Sequence, residues 1–336
     1  MNGRIAVVLP CYKVTRHILG VLAGIGPEVE RIYVVDDACP EKSGQLVRQR
    51  CADPRVRVLE LPENSGVGGA TLAGFRAALQ DGMTIAVKVD GDGQMDPALV
   101  PRFVGPIVDG HADYTKGNRF YNLGALSDMP AVRLFGNSLL SFVNKAMSGY
   151  WNIMDPTNGF VAIHTDLLRV LPLDQIEKRY FFESDLLFRL NTVRAVVLDI
   201  PMAAVYGDET SNLRVGRVAV SFPRKYLIRI VKRIFYNYFL RDFNVCSLQI
   251  VAGGLLVAWS LLHGGYQWSR SIATGIPATS GTVMLAALPF ILGVQFLLEA
   301  IRYDITHIPT RPLHRFWASA GPPAHPSTPN PRKETP

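Results

Sequence analysis

Cysteine is scarce: Cys11, Cys39, Cys51 and Cys246 are the only four in 336 residues, with no CxxC pair and no regular spacing. A chain this long can bury a core without a disulfide framework, so the pattern points to a reducing compartment. The seven histidines are scattered, and no two lie four residues apart beside a carboxylate, which argues against a zinc site. There is no G-x-S-x-G elbow and no cysteine beside an obvious activating base, so hydrolase chemistry of those kinds is not expected. In the glycine-rich segment Asn64–Ala70, Thr71 follows where a G-x-G-x-x-G motif needs its third glycine, which removes the dinucleotide-binding reading. Ile5–Leu9 is too short for the apolar core of a signal peptide and runs into Pro10, so it reads as a first β-strand.

Charge is missing over two long stretches. Residues 244–269 and 271–298 contain no Lys, Arg, Asp or Glu, and each exceeds the roughly 20 residues that a spanning helix needs. Arg270 and the Gly275–Pro277 neighbourhood separate them, which predicts a transmembrane hairpin over 244–305. A pair of buried core helices is the alternative, but Gly253-Gly254 and Pro289 weaken a soluble helix more than a membrane one. Lys and Arg are abundant before the first span and recur afterwards at Arg302, Arg311 and Arg315. The positive-inside rule then puts both ends, and the domain before them, in the cytoplasm.

What is present begins with 48% apolar residues, enough for a sizeable core, and a net charge of +7 that is unevenly placed. Arg224, Lys225, Arg229, Lys232, Arg233 and Arg241 interleave with Phe222, Tyr226, Leu227, Ile230, Val231, Ile234, Phe235, Tyr238 and Phe239. Apolar positions three and four apart with cations between them describe an amphipathic helix at a membrane interface over 216–243. An ordinary surface helix with a solvated basic face is the alternative. Because this cluster leads straight into an apolar stretch, anionic lipid is the expected partner and nucleic acid is not. Residues 306–336 form a cytoplasmic tail that is Pro-rich and polar from Gly321 onward, a composition that predicts disorder at its end.

Residues 1–215 alternate short β-branched runs with longer amphipathic stretches, the pattern of an α/β domain with a mostly parallel sheet. Candidate strands are Ile5–Leu9, Arg31–Asp36, Val56–Leu61, Ile85–Asp90, Tyr114–Lys116, Gly159–His164 and Val196–Ile200. Ligands of such sheets bind beyond the carboxyl ends of the strands. There, Asp90-Gly91-Asp92-Gly93-Gln94 sets two carboxylates one residue apart on a glycine turn, where both can reach one hard cation and leave room for phosphate oxygens. Such a metal, Mg2+ or Mn2+, would neutralise a departing diphosphate. Asp36 and Asp37 could accept hydrogen bonds from a ribose or base and Tyr12 could stack on the base, although capping of the next helices suits both aspartates equally. Glycines such as Gly68 allow close backbone approach to a nucleotide or to a neighbouring strand.

Taken in order, Val7-Val8-Leu9-Pro10-Cys11-Tyr12, Val34-Val35-Asp36-Asp37, Glu63–Ala70, Val89–Pro97, Gly117-Asn118-Arg119-Phe120 and Asn158-Gly159-Phe160 resemble the motifs of family 2 GT-A glycosyltransferases. Together with the basic helix and two spans, residues 4 to 305 resemble the polyprenyl-phosphate hexosyltransferases, the dolichol-phosphate mannosyltransferase-like group of that family. The resemblance implies a Rossmann-like GT-A fold and transfer of a hexose from a nucleotide diphosphate sugar to a polyprenyl phosphate. By the same resemblance Asp90, Asp92 and Gln94 hold the metal. Pro10, Tyr12, Asp36 and Asp37 meet the nucleotide, and Arg119, Arg133 and Asn137 meet the acceptor phosphate. Asp155, Glu183 and Asp185 are further acidic candidates that would orient the sugar or a loop. For Asp185 a structural role is as well supported, and each arginine alone could equally form a surface salt bridge. The chain departs from the family pattern at Lys13-Val14, where Asn-Glu is common, and over Val205–Arg214, where no Lys follows Ser211 and Arg214 would have to serve instead.

A lipid phosphate is already ionised near neutral pH, so the chemistry needs orienting arginines more than a strong base. Two rival readings remain. One is the same fold acting on a sugar hydroxyl in polysaccharide or glycolipid synthesis, which would need a carboxylate base such as Asp185. The other is a non-catalytic membrane scaffold.

Overall fold

A computed structural model describes residues 3–121, 131–203 and 215–320, without the side chains of residues 131–135, 137, 215–221 and 319–320. The chain divides into two units, Met1–Ile230 with Pro309–Pro336, and Val231–Ile308.

The first unit is built on one seven-stranded sheet in the order β3-β2-β1-β4-β6-β5-β7. Its strands are β1 Ile5–Cys11, β2 Val29–Asp36, β3 Val56–Glu60, β4 Ile85–Lys88, β5 Tyr114–Asn118, β6 Val161–His164 and β7 Val197–Pro201. Each coincides with one of the β-branched runs in the sequence. All neighbouring pairs are parallel except those of β6, which runs antiparallel to both β4 and β5. Every residue of β1 is buried, because apolar layers cover both faces of the sheet. Val7, Leu9, Val34 and Phe103 belong to one layer, and Val8, Val35, Phe75 and Leu187 to the other. That two-sided cover is why the central strands read as continuous apolar runs instead of alternating ones.

Helices α1 (Ile18–Ala23), α2 (Ser43–Arg50), α3 (Val67–Gln80), α4 (Val100–Val108), α5 (Ala131–Ser148), α6 (Asp166–Val170) and α7 (Phe182–Thr192) join the strands. The long helix α8 spans Val215–Phe235 and continues into a π-helical turn, Tyr236–Arg241. Within the first unit its Phe222 and Tyr226 pack on Phe181, while Leu227 is exposed. The amphipathic pattern therefore serves two surfaces, since part of the apolar set that reads as lipid-facing covers protein. Lys225 and Arg229 are likewise internally paired, with Glu177 at 2.8 Å and with Asp185 at 2.6 Å, which removes them from the set of cations offered outward.

The second unit holds helices α9 (Val245–Thr274) and α10 (Ser280–Thr306). Both are long and apolar enough to cross a membrane, and only 22% and 6% of their most apolar windows are buried within the chain. Core helices of a soluble domain would be mostly buried, so the alternative reading loses its support. The break lies at Gly275, in the left-handed conformation that closes α9. Of the two features expected to separate the spans, the Gly275–Pro277 neighbourhood does so, while Arg270 sits inside the last turns of α9, because a lone cation does not interrupt a helix. Gly253 and Gly293 let the two backbones meet, as a Cβ on either would lie 2.9 Å from the other's carbonyl oxygen. Arg233 grips Asp304 through two hydrogen bonds of 2.6 and 2.9 Å.

After the hairpin the chain rejoins the first unit as α11 (Leu313–Ala320). Asp113, just before β5, caps that helix by accepting from the amides of Leu313 and His314, each at 3.0 Å. Part of the expected tail is thus a docked helix, and the segment from Gly321 onward lies outside the described residues.

Candidate active site

Because β1, β2, β4, β5 and β7 run the same way, their carboxyl ends share one rim, and the amino end of antiparallel β6 meets them there. That rim carries Tyr12, Asp36, the Asp90–Gln94 turn, Arg119 and the Asn158-Gly159 turn. Pro10 is tolerated near the end of β1 because β4 pairs with that strand only as far as Val8, so no β4 carbonyl requires its missing N–H. Tyr12, the next exposed residue, is open to solvent with Lys13 beside its ring.

Strand β4 ends at Lys88, two residues earlier than the β-branched run suggests. The Lys88 ammonium is wholly buried, 2.7 Å from Asp90 Oδ1, 3.1 Å from the Gly159 carbonyl and 3.6 Å from Glu183 Oε1. Burial opposes that charge, but Asp90 and Glu183 outweigh it and raise the lysine pKa. Gly159 is needed at this crossing, since a Cβ there would sit 2.6 Å from both Asp90 Oδ2 and Lys88 Nζ. Asp92 receives the amide of Gln94 at 3.0 Å, which shapes the turn. Among the described residues no three His, Cys, Asp or Glu side chains converge. The donor set is two half-buried carboxylates on a glycine turn, and hard oxygen donors of this kind fit Mg2+ or Mn2+ that completes its shell with phosphate oxygens and water.

Arg119, after β5, is held by Asp155 through bonds of 2.7 Å from Nε and 3.1 Å from Nη2. Asp155 is fully buried; burial alone would raise its pKa, but the Arg119 hydrogen bonds outweigh that and lower it. Arg133 and Asn137 lie on α5, one turn apart, and their side chains are outside the described set. So is the segment Val205–Arg214, with Arg214 in it.

The remaining expected residues make internal contacts in the structure. Asp36 accepts from the amides of Cys39 at 2.7 Å and Gly44 at 2.6 Å, and Asp37 from those of Ser65 at 2.7 Å and Gly66 at 2.8 Å. Both are buried, and burial pushes the Asp37 carboxyl above its ordinary range. These side chains fasten turns at the rim. Gly68 faces Phe182, which would lie 2.6 Å from an added Cβ, so its missing side chain serves packing of α3 on α7. Asp185 is completely buried between Arg189 at 3.1 Å and Arg229 at 2.6 Å, and also accepts from the Glu177 amide. It joins α7 to α8 and does not open onto the rim.

Three residues that sequence reasoning passes over belong to the site. Lys88 and Lys116 rise from β4 and β5 and donate to the successive carbonyls of Gly159 and Asn158, clamping that turn from two sides. Burial brings the Lys116 pKa down to about 8, partly offset by Glu183 and Asp155. Asp199 on β7 is raised to about 6 by burial, against the opposing effects of the Met154 amide and Lys116. For Lys88 and Lys116 the available signal was a charged residue inside a strand buried on both faces.

A family model for glycosyl transferase family 2 matches residues 6–171. The undecaprenyl-phosphate mannosyltransferase of Micrococcus luteus is 33% identical over 66% of this chain and 93% of its own. The polyprenol monophosphomannose synthase of Mycolicibacterium smegmatis is 31% identical over 59% of this chain and 76% of its own. Among solved structures, glucosyl-3-phosphoglycerate synthase from Mycobacterium tuberculosis, crystallised with Mn2+, UDP and glucosyl-3-phosphoglycerate, superposes with a TM-score of 0.50. It shares 20% identity over 69% of this chain and 80% of that one, a likeness of fold.

Proposed function

The chain belongs to glycosyl transferase family 2 and is a glycosyltransferase of GT-A fold, and from that premise we propose that it moves a hexose from a nucleotide diphosphate sugar to a polyprenyl phosphate. The observation that carries this reading is the meeting on one sheet rim of the Asp90 and Asp92 carboxylates with Arg119, in a chain that continues into two exposed apolar helices. The relatives named for undecaprenyl-phosphate and polyprenol acceptors support the lipid phosphate as acceptor.

Asp90 and Asp92, with Gln94 beside them, would hold the divalent ion. When bound, Mg2+ or Mn2+ supplies positive charge to the departing diphosphate. Lys88 fixes the Asp90 carboxylate, and Tyr12 offers its ring to the base. Arg119, held by Asp155, orients the acceptor phosphate together with Arg133 and Asn137. A phosphate oxygen forms the new bond to the anomeric carbon as the bond from that carbon to the diphosphate breaks, so the configuration inverts. No proton has to leave the nucleophile, and the site needs no strong base.

Two spans return the chain to the side it left, so both hairpin ends lie on one side of the membrane in this reading. The lysines and arginines flanking the hairpin make that side the cytoplasm.

The test is Asp92→Ala in the full chain. Transfer falls below detection while membrane association, measured by sedimentation with vesicles, is retained; normal turnover in this variant overturns the proposal. The rival acceptor, a sugar hydroxyl, is disfavoured because Asp185 is spent on two arginines.

A further inference from the structure

Arg119 and Asp155 form the pair on which acceptor binding rests, yet neither reaches the other by sequence proximity. Arg119 lies beyond β5, and Asp155 lies on the turn before β6. Asp199 touches the chain neighbour of each. Its Oδ2 accepts from Asn118 Nδ2 at 3.1 Å and from the Met154 amide at 2.8 Å. Asn118 in turn accepts from the Phe120 amide at 2.9 Å, which sets the backbone on either side of Arg119. The other oxygen, Oδ1, is buried and has no hydrogen-bond partner among the described residues. Asp199 is register partner to Lys116 across β5 and β7. Lys116 from β5, Asp155 from the turn before β6 and Lys145 from α5 are the charged groups that act on it. A carboxylate left with one oxygen bare in a buried place is costly for folding alone. Its two side-chain bonds among the described residues go to the two segments that carry the acceptor pair.

We infer that Asp199 is a positioning residue for acceptor binding: its Oδ2 clasps the Asn118 and Met154 segments together, so that Arg119 and Asp155 meet in the geometry that receives the acceptor phosphate. Asp199 does not touch substrate; it acts through Arg119. This inference rests on the proposed lipid-phosphate acceptor.

The test uses the full chain in detergent and two ligands measured separately by calorimetry, farnesyl phosphate as a short polyprenyl phosphate and Mn2+ alone. Asp199→Ala weakens farnesyl phosphate binding by about tenfold (~1.4 kcal/mol) and leaves Mn2+ affinity within twofold. Asp199→Asn, whose amide oxygen can accept both bonds, restores most of the loss seen in Asp199→Ala. Asn118→Ala, which leaves the buried carboxylate in place, weakens farnesyl phosphate binding in the same direction and serves if Asp199→Ala does not fold. Arg119→Ala is the reference. If it weakens farnesyl phosphate while Asp199→Ala and Asn118→Ala do not, the positioning role is overturned and the acceptor reading stands. If Arg119→Ala leaves farnesyl phosphate binding unchanged, the acceptor reading falls and the inference with it. Equal losses for both ligands in Asp199→Ala also overturn the inference, since they show a general structural defect.

Discussion

Gly68→Ala is predicted to lower the melting temperature of the catalytic unit by roughly 4–8 °C, following from about 2 kcal/mol of destabilisation. Gly68 is the second residue of α3, and a Cβ added there would lie 2.6 Å from Phe182 Cδ2 and 2.7 Å from both its Cβ and Cγ. Carbon atoms at ease stand about 3.5–4.0 Å apart. Phe182 is fully buried at the start of α7 and cannot swing into solvent, so α3 and α7 must separate by about 1 Å. Inserting a methyl into a packed core costs about 1–3 kcal/mol, and contact with three atoms of one confined side chain belongs at the upper end. Alanine in place of glycine returns at most about 1 kcal/mol of helix propensity. The assay is thermal unfolding of the full chain in detergent, followed by tryptophan fluorescence without nucleotide or metal. A melting temperature equal to or above that of the parent refutes the packing argument. If it came with weakened UDP binding, the residue would serve backbone approach to a nucleotide instead.

Asp185→Asn removes the buried charge that Arg189 and the partly buried Arg229 face, and breaking a buried pair of this kind costs about 3–5 kcal/mol. Its melting temperature should drop strongly while the folded fraction keeps its turnover; the reverse pattern, a stable but inactive protein, would favour a hydroxyl acceptor. Asp199 has a folded pKa of about 6 against an ordinary 3.8. Its charge therefore weighs against the folded state above pH 6, and that penalty disappears as pH falls toward 4. In chemical denaturation at pH 7.5 and pH 5, the stability difference between parent and Asp199→Asn should shift in favour of the parent at the lower pH. A difference independent of pH would show that the carboxyl titrates normally.

The central strands β1, β2 and β4 were legible because both sheet faces are covered there, which turns each into a short apolar run closed by a polar residue. The two spans were legible from the absence of charge alone. Their boundary was legible in part: Gly275, expected together with Arg270 to separate them, ends the helix in the left-handed conformation, while Arg270 lies within the helix. The metal turn was legible as two carboxylates after a strand. What the sequence concealed is the buried side of the site. Lys88, Lys116 and Asp199 gain meaning only when β4, β6, β5 and β7 come together in that order, which brings residues 88, 116, 159 and 199 side by side. Asp36, Asp37 and Asp185 carried the opposite ambiguity. A carboxylate near a strand end or on a helix looks the same in sequence whether it awaits a ligand or fastens a backbone amide.

The central claim is the identity of the acceptor, and it is tested by incubating the purified full chain with polyprenyl phosphate, Mg2+ or Mn2+ and a panel of nucleotide sugars, then weighing the extracted lipid by mass spectrometry. The account predicts, for at least one donor, a polyprenyl phosphate heavier by one hexose residue that is lost when EDTA is added. Sugar transfer to a hydroxyl acceptor with the polyprenyl phosphate left unmodified by every donor would contradict it.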